Sequence, residues 1–500
     1  MSMVGVIPAA GRGTRAYPST RLIPKAMLDI CGAPVLHYTI TTMRDQLGIH
    51  DIVIILGHHG ETIRRKFGNG DHYSVRIRYV QNDRVDLGLA YSVLLTRDHV
   101  AGSHFVVMLS DEVYWHSNHH ELLQCGYERF AATLTVRRDS TNKEIRKNFS
   151  VELQGEKVTG LVEKPASSDN GLLGCGTYIF SREILDHLQR RLDAATPHRG
   201  DLTSAINDLI AGGGDVQAFA LRSEYININY EEDVHYARSI VRRSRLDSAK
   251  VSLVMPCESS PDALEDMLRL ARRHRSADEV VLVAWQSDPA FQRLADSYEA
   301  RLVVAAGATR KAFGALFRAG IGHATGEIIV MTRGDDSFDL ADIGKLRAYM
   351  CEADLVLGTR TTSQLAQQGS NLNWVARTAN YILAKLIEFL WPSRRVRLTD
   401  VGCTFRAFWR ETYDQIAVDL RSSGPAFAPE MIVEALRRRL WVIEIPINYC
   451  RTTEESRIRV EHRNLRVFLS MAAMILSKRL RSGEPDTQPR IAAESAADRA

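Results

Sequence analysis

The strongest constraint on the fold is an alternation that runs along the chain twice. Short apolar runs trade places with stretches of helical period from residue 4 to about 480, and the pattern restarts at 251. Val4–Pro8, Ile52–Leu56, Phe105–Leu109 and Ala131–Val136 read as buried strands, with Leu36–Leu47 and Leu89–Val100 as helices between them. In the second half, Val251–Pro256, Glu279–Ala284, Arg301–Ala305 and Glu327–Met331 read as strands. Asp262–His274 and Ala312–His323 are the intervening helices. Such alternation predicts an α/β protein with a mainly parallel sheet in each half. Arg238–Lys250 is basic and lacks a strand pattern, so it reads as the end of a helix plus a linker over 241–250. The expected domains are therefore 1–240 and 251–480. A disordered tail is expected over 481–500, which has no apolar periodicity.

Composition narrows the setting. Seven cysteines are scattered with no CxxC pair, which argues against a disulfide framework or a zinc ribbon and for a reducing, cytoplasmic compartment. A net charge of +4 gives no reason to expect a nucleic-acid partner. The apolar stretches are broken by charges well short of the about 20 residues a membrane span needs. No signal peptide is expected either, because Gly5–Ala10 runs directly into glycine and arginine.

The two halves share a layout. Each opens with a strand ending in proline, Pro8 or Pro256. Each later has a strand running into an acidic pair, Asp111-Glu112 or Asp335-Asp336. Ligands in open parallel sheets collect beyond the carboxyl ends of the strands, where an acidic residue can hold Mg²⁺ against a phosphate. Either pair alone reads more readily as a helix N-cap after a strand, and the matching contexts of the two weaken that reading.

After the first strand comes Ala9-Ala10-Gly11-Arg12-Gly13-Thr14-Arg15, followed by Pro24-Lys25. Small residues let backbone N–H groups approach a triphosphate, and Arg15 and Lys25 would neutralise it. The GK[ST] ending of a P-loop and the third glycine of a dinucleotide fingerprint are both missing.

With these residues the first half resembles the sugar-phosphate nucleotidyltransferases, the glucose-1-phosphate thymidylyl- and uridylyltransferases among them. The likeness continues in Gly88-Leu89-Ala90, Ser110-Asp111, Glu163-Lys164-Pro165, the strand beginning at Gly176, and Tyr225–Asp233. It implies that Ala10, Gly11, Gly13, Thr14 and Arg15 bind the nucleoside triphosphate, with Lys25 on its phosphates. Gly88 would lie against the base, and Gln81 or Asn82 would read its edge. Lys164 would hold the sugar 1-phosphate, with Glu163 and Gly176 at the sugar. Asp111 and Asn227 would ligate Mg²⁺. Two residues depart from the family pattern: Ser110 replaces the usual glycine, and Asn227 stands where many members have aspartate. His116, His119 and His120 read as surface residues at a helix start rather than as a zinc cluster.

The second half resembles the family-2 glycosyltransferases, especially those acting on dolichyl or other polyprenyl phosphates. The likeness rests on Val251–Pro256, Ala277–Val283, Ala324–Val330, Gly334–Asp339, Ala353–Arg360, Thr399–Ala407, Pro425–Ala435 and Glu444–Tyr449. Together the two resemblances imply tandem Rossmann-like nucleotide-binding domains, a nucleotidyltransferase fold followed by a GT-A fold. Three family positions differ: Ser259-Ser260 for Asn-Glu, Ala284 for an aspartate, and Arg333 for the first acid of the DxD. Asp335 as metal ligand, Asp400 as catalytic group, and Arg406 and Glu430 match the pattern. Arg451 and Arg457 are candidates for a lipid phosphate.

Asn373–Trp391 and Asn464–Leu480 read as amphipathic helices, the second followed by a basic stretch. They suit either an anionic membrane surface, placing the protein at its inner face, or packing on their own domain or a second subunit. The expected function is a fusion enzyme. One domain makes a nucleotide sugar and the other transfers it, with a polyprenyl phosphate as one candidate acceptor. Two alternatives stay open: a C-terminal half that only binds or dimerises, and a phosphorylated alcohol in place of the sugar. The particular nucleotide, sugar and oligomeric state are not fixed by sequence.

Overall fold

The computed structural model describes residues 3–11, 13, 20, 23–100, 102–138, 141–167, 170–194, 198, 200–310, 312–366, 374–393, 396–450 and 465–480. The chain divides into two compact units, Met1–Ile240 and Val241–Ala500. The division falls within one helix, Glu231–Leu246, so residues 241–246 are helical where a linker was expected. A buried ion pair from Arg242 to Asp354 ties these last turns to the second unit.

In the first unit the sheet begins with Val4–Ala9, every residue of which is buried. Asp51–Leu56 and Arg76–Gln81 add in parallel on one side and His104–Met108 on the other. The sheet then turns antiparallel through Leu173–Ser181 and Ala132–Arg137, and Val216–Ala220 pairs in parallel with the last of these. An antiparallel pair, Lys157–Glu163 and Phe149–Gln154, completes nine strands.

The second unit repeats this plan. Val251–Pro256 is again buried throughout. Glu279–Ala284 and Arg301–Val304 add in parallel on one side and Ile328–Met331 on the other. Arg406–Trp409 and Leu355–Thr359 follow antiparallel, and Val442–Pro446 pairs in parallel with Leu355–Thr359. Counting the seven shared strands in chain order, both sheets run 3-2-1-4-6-5-7. The parallel expectation therefore holds for the first four strands of each unit. A returning strand inserts antiparallel beside the fourth, and the next two strands resume the original direction, so each sheet is mainly parallel as expected.

Helix Leu465–Leu480 packs on its own unit. Met471 and Ile475 are buried with Val467, Phe468 and Ala472 against the core under the sheet. Lys478 pins it through ion pairs to Glu430 at 2.8 Å and Glu434 at 2.7 Å. No described helix is long and apolar enough to cross a membrane. The expected tail over 481–500 lies outside the described residues.

Candidate functional site

In the first unit the candidate groups gather beyond the ends of strands Val4–Ala9 and His104–Met108. The Ser110 hydroxyl, where glycine is usual, donates to the Pro8 carbonyl at 2.8 Å and fastens the two strand ends together. Asp111 follows, its carboxylate 26% exposed. Lys25 opens the short 3-10 helix Lys25–Met27, and its Nζ donates to Asp111 Oδ2 at 2.6 Å. The same ammonium lies 3.4 Å from Asn229 Oδ1.

Asn227 ends strand Glu224–Asn227, which pairs with Glu112–Trp115 and so stands beside the acidic pair. The Ile228 amide donates to the Asp111 carbonyl at 2.9 Å. The Asn227 amide nitrogen donates to Asn148 Oδ1 at 2.6 Å, while its Oδ1 is buried with no hydrogen-bond partner. A buried acceptor left without a donor is unusual and calls for an electropositive partner. Oxygen donors from Asp111 and Asn227 fit a hard cation such as Mg²⁺, which takes few protein ligands and fills the rest with water and phosphate.

Glu112 plays a different part from its neighbour. It is buried, accepting from the Tyr225 hydroxyl and the Gly176 amide, each at 2.8 Å, and from the Tyr114 hydroxyl. Burial, reinforced by the Asp111 charge, pushes its carboxyl up to about 7. Glu112 and Gly176 thus form the floor that aims Asp111, and Gly176 is buried there rather than presented to a sugar.

The remaining expected residues spread around the rim. Gln81 is exposed at the end of its strand, whereas Asn82 is buried and turned inward, bonded to Ser92 and to the Arg84 amide. Of the two, only Gln81 is free to meet a base. Gly88 has φ +82°, and a Cβ there would meet the Gly200 carbonyl oxygen at 2.5 Å, so the close approach of these backbones requires glycine. Lys164 has φ +44°, and its exposed ammonium lies 3.3 Å from Glu163 Oε1. Ala10 is buried, Gly11 is exposed, and the Gly13 carbonyl accepts from the Thr20 hydroxyl at 2.7 Å. Thr14 and Arg15 lie outside the described residues.

Sequence reasoning missed a supporting ring. Lys147 pairs with Asp233 at 2.9 Å, and Asp233 accepts from the Asn229 and Tyr230 amides, each at 2.8 Å. The Asn227-x-Asn229-x₃-Asp233 spacing carried that signal, but nothing in the sequence marks Lys147 or Asn148. His119 also differs from its expected surface position. It is buried, T-shaped against Tyr114, and burial lowers it to about 3.

In the second unit the corresponding cleft is filled with ion pairs. Arg333 Nε lies 2.8 Å from Asp335 Oδ2, and its Nη2 lies 3.2 Å from Glu258 Oε2. Asp335 Oδ1 accepts from the Ser337 hydroxyl, so the carboxylate expected to hold a metal is already committed. Asp400 is clamped by Arg360 through bonds of 2.7 and 2.8 Å. Arg406 is wholly buried, donating to the Ala428 and Cys403 carbonyls, and Glu430 is wholly buried against Lys478 and the Arg421 and Ser422 amides. Both residues stand inside the core rather than on an acceptor surface. Ala284 is buried at the end of its strand, followed by the half-buried Trp285. Arg451 and Arg457 lie outside the described residues.

Comparison with known proteins accords with these two clefts. The nucleotidyl transferase family model matches residues 4–290, and the glycosyl transferase family 2 model matches residues 252–416. A low-salt glycan biosynthesis nucleotidyltransferase of Haloferax volcanii is 28% identical over 240 residues, 48% of this chain and 66% of the relative. A UTP–glucose-1-phosphate uridylyltransferase of the same organism is 28% identical over 232 residues, 46% of this chain and 93% of the relative. A glucose-1-phosphate thymidylyltransferase of Streptomyces griseus is 31% identical over 221 residues, 43% of this chain and 59% of the relative. All three likenesses cover less than half of this chain.

Proposed function

The chain belongs to the nucleotidyl transferase family, and on that premise we propose that its first unit moves a nucleotidyl group from a nucleoside triphosphate onto a sugar 1-phosphate, releasing pyrophosphate. The observation that carries this reading is the Lys25–Asp111 pair beside the buried, unpartnered Asn227 oxygen. An anion-binding ammonium, a carboxylate and a carbonyl oxygen converge at the strand ends, where a phosphate would lie.

The chemistry needs no protein nucleophile. A phosphate oxygen of the sugar attacks the α-phosphorus, a new P–O bond forms, and the bond to pyrophosphate breaks. The protein's task is to align two anions that repel one another and to meet the charge that develops. Lys25 supplies positive charge on the triphosphate side, and Lys164, exposed and beside Glu163, supplies it on the sugar-phosphate side. Gln81 meets the base. Asp111 and Asn227 would hold Mg²⁺, which when bound adds electrostatic stabilisation at the phosphates. Glu112 keeps Asp111 in place from below.

The second unit is proposed to handle the nucleotide sugar that the first produces, either transferring it or only binding it. An acceptor at a lipid surface suits the exposed apolar side chains Trp374 and Phe389 on helix Trp374–Leu390, and Leu465 and Leu480 on helix Leu465–Leu480. The Arg333 ion pairs favour the binding reading over a metal-dependent transfer. A cytoplasmic setting accords with seven cysteines that are all free.

The test is a pyrophosphate-release screen crossing UTP, dTTP, CTP, GTP and ATP with glucose, N-acetylglucosamine, mannose and galactose 1-phosphates. Release with at least one pair supports the assignment. Release with phosphocholine alone would replace the sugar with a phosphorylated alcohol, and no release with any pair would overturn the assignment.

A further inference from the structure

The glycosyl transferase family 2 likeness implies a divalent cation at the second unit's cleft, and the residues there do not fit one. A cation of that kind needs oxygen donors with free lone pairs. Asp335 spends one oxygen on Ser337 and the other on Arg333, and Glu258 faces the same guanidinium. Among the described residues, no group of three or more His, Cys, Asp or Glu side chains is arranged to hold a metal.

What stands in the cation's place is itself a cation. Arg333 follows Thr332 at the end of strand Ile328–Met331, with 16% of its side chain exposed and Phe313 under it at 5.4 Å. The loop is fixed there by Gly334, whose hydrogen points at the Pro256 carbonyl so closely that any Cβ would overlap it. Arg310 approaches from the other side, donating to the Glu258 carbonyl at 2.8 Å and lying 5.4 Å over the Trp285 ring. Burial, only partly offset by Arg333, pushes the Glu258 carboxyl up to about 8. Near pH 7 the cluster therefore presents two guanidinium groups against the single charge of Asp335.

The hydroxyls of Ser259 and Thr332, the chain neighbours of Glu258 and Arg333, are buried without a hydrogen-bond partner. Orphaned buried groups this concentrated point to a ligand that supplies what the protein does not. Guanidinium groups are well suited to a diphosphate, since their planar donors match its oxygens and their charge is permanent.

We infer that Arg333 takes the place of the divalent cation, so that the second unit's cleft holds a diphosphate group without any metal. The inference rests on reading this unit as a handler of nucleotide sugars. The diphosphate belongs to a nucleotide or to free pyrophosphate, and the two sources are distinguished by the probes.

The experiment is calorimetric titration of the full chain carrying Lys25→Ala and Asp111→Ala, which disables the first site. UDP, GDP and inorganic pyrophosphate are titrated in EDTA and again in Mg²⁺. Binding of at least one probe is expected in EDTA, within twofold of its affinity in Mg²⁺, and at least tenfold weaker in Arg333→Met. Because Arg333→Met strips Glu258 of its partner, the double variant Arg333→Met/Glu258→Leu is titrated beside it, and thermal melting reports folding of both. UDP or GDP bound more tightly than pyrophosphate supports the inference with a nucleotide as source. Pyrophosphate bound as tightly supports it with the free anion. Binding that needs Mg²⁺, or that survives undiminished in both variants, overturns the inference alone. No binding of any probe in any condition overturns it together with the nucleotide-sugar reading.

Discussion

Lys25 Nζ and Asp111 Oδ2 stand 2.6 Å apart although 86 residues separate them along the chain. Neither is fully buried, with side-chain exposures of 13% and 26%, so a ligand can reach between them. A pair of this kind at a strand end does two things. On the proposed reading it places an ammonium where a phosphate would arrive and a carboxylate where a metal would bind. On that reading, Lys25→Ala removes the positive charge that would meet the phosphates, and Asp111→Ala the carboxylate that would hold Mg²⁺. Each is expected to lower the rate of pyrophosphate release by at least about a hundredfold, the scale of losing one electrostatic contact to a developing charge. Folding should persist in both, because the remaining partner is solvent-accessible. Steady-state release assays with melting curves check this, and near wild-type rates in either variant would remove the pair from the site.

Asn227 sets the second prediction. Its amide nitrogen is anchored on Asn148 at 2.6 Å, which leaves its oxygen as the buried donor. Asn227→Ala deletes that oxygen while leaving Asp111 in place. The Mg²⁺ concentration for half-maximal activity is expected to rise roughly tenfold, the lower end of the range for losing a metal-site contact, with a smaller change in the rate at saturating Mg²⁺. A Mg²⁺ titration of wild type and variant decides it, and superimposable curves would show that Asn227 takes no part.

Much of this was legible in sequence because the signals are local. The strand ends at Pro8, Leu109 and Pro256 were set by runs of Val, Ile and Leu bounded by glycine or acid, and their structural counterparts differ by a residue at most. Lys25 and Asp111 were each expected at the phosphates through the family resemblance, but their direct pairing was not read from the sequence. What stayed hidden depends on contacts distant in sequence. Nothing near Lys147 announces Asp233, and nothing near His119 announces the pocket formed with Tyr114 and Thr177. Arg406 and Glu430 show the opposite failure. Charged residues matched to a family pattern were read as site residues, yet they are held in the core by backbone carbonyls and amides. The antiparallel strands Leu173–Ser181 and Arg406–Trp409 escaped because apolar runs do not reveal strand direction.

Glu112 gives a prediction in pH. Its folded value of about 7 lies above the ordinary 4.5, raised by burial and then by Asp111. The protonated form is therefore the one the fold favours. The stability it contributes is fully present below about pH 4.5 and is lost as pH rises through about 7. The loss amounts to roughly 3 kcal/mol across that window, from about 1.4 kcal/mol per pK unit. Glu112→Gln mimics the neutral carboxyl and should lack this slope. Urea unfolding at several pH values from 4.5 to 8 measures the wild-type minus variant difference, which is expected to fall with rising pH. A difference that stays constant would show that Glu112 titrates near its ordinary value.

Lys478 provides the last prediction, on stability. Its Nζ lies 2.8 Å from Glu430 and 2.7 Å from Glu434, both carboxylates being buried. It also donates to the Asp419 carbonyl at 2.6 Å, so one ammonium closes helix Leu465–Leu480 onto helix Phe427–Arg437. Glu434 has further help from Arg437 and Arg438, but among the described residues Glu430 has only Lys478 besides the Arg421 and Ser422 amides. Replacing Lys478 with methionine keeps the apolar stem and leaves buried negative charge without its counter-ion. Breaking a buried pair on one side typically costs about 3–5 kcal/mol. The expected figure is near the lower end, because Lys478 is 12% exposed and Glu434 keeps its arginines. The double variant Lys478→Met/Glu430→Gln should recover much of that loss, since it removes the stranded charge as well. Chemical denaturation followed by the tryptophans of the second unit reads both variants. A Lys478→Met variant as stable as the wild type would show that apolar packing, Met471 and Ile475 included, holds the helix and that the ion pair contributes nothing of its own.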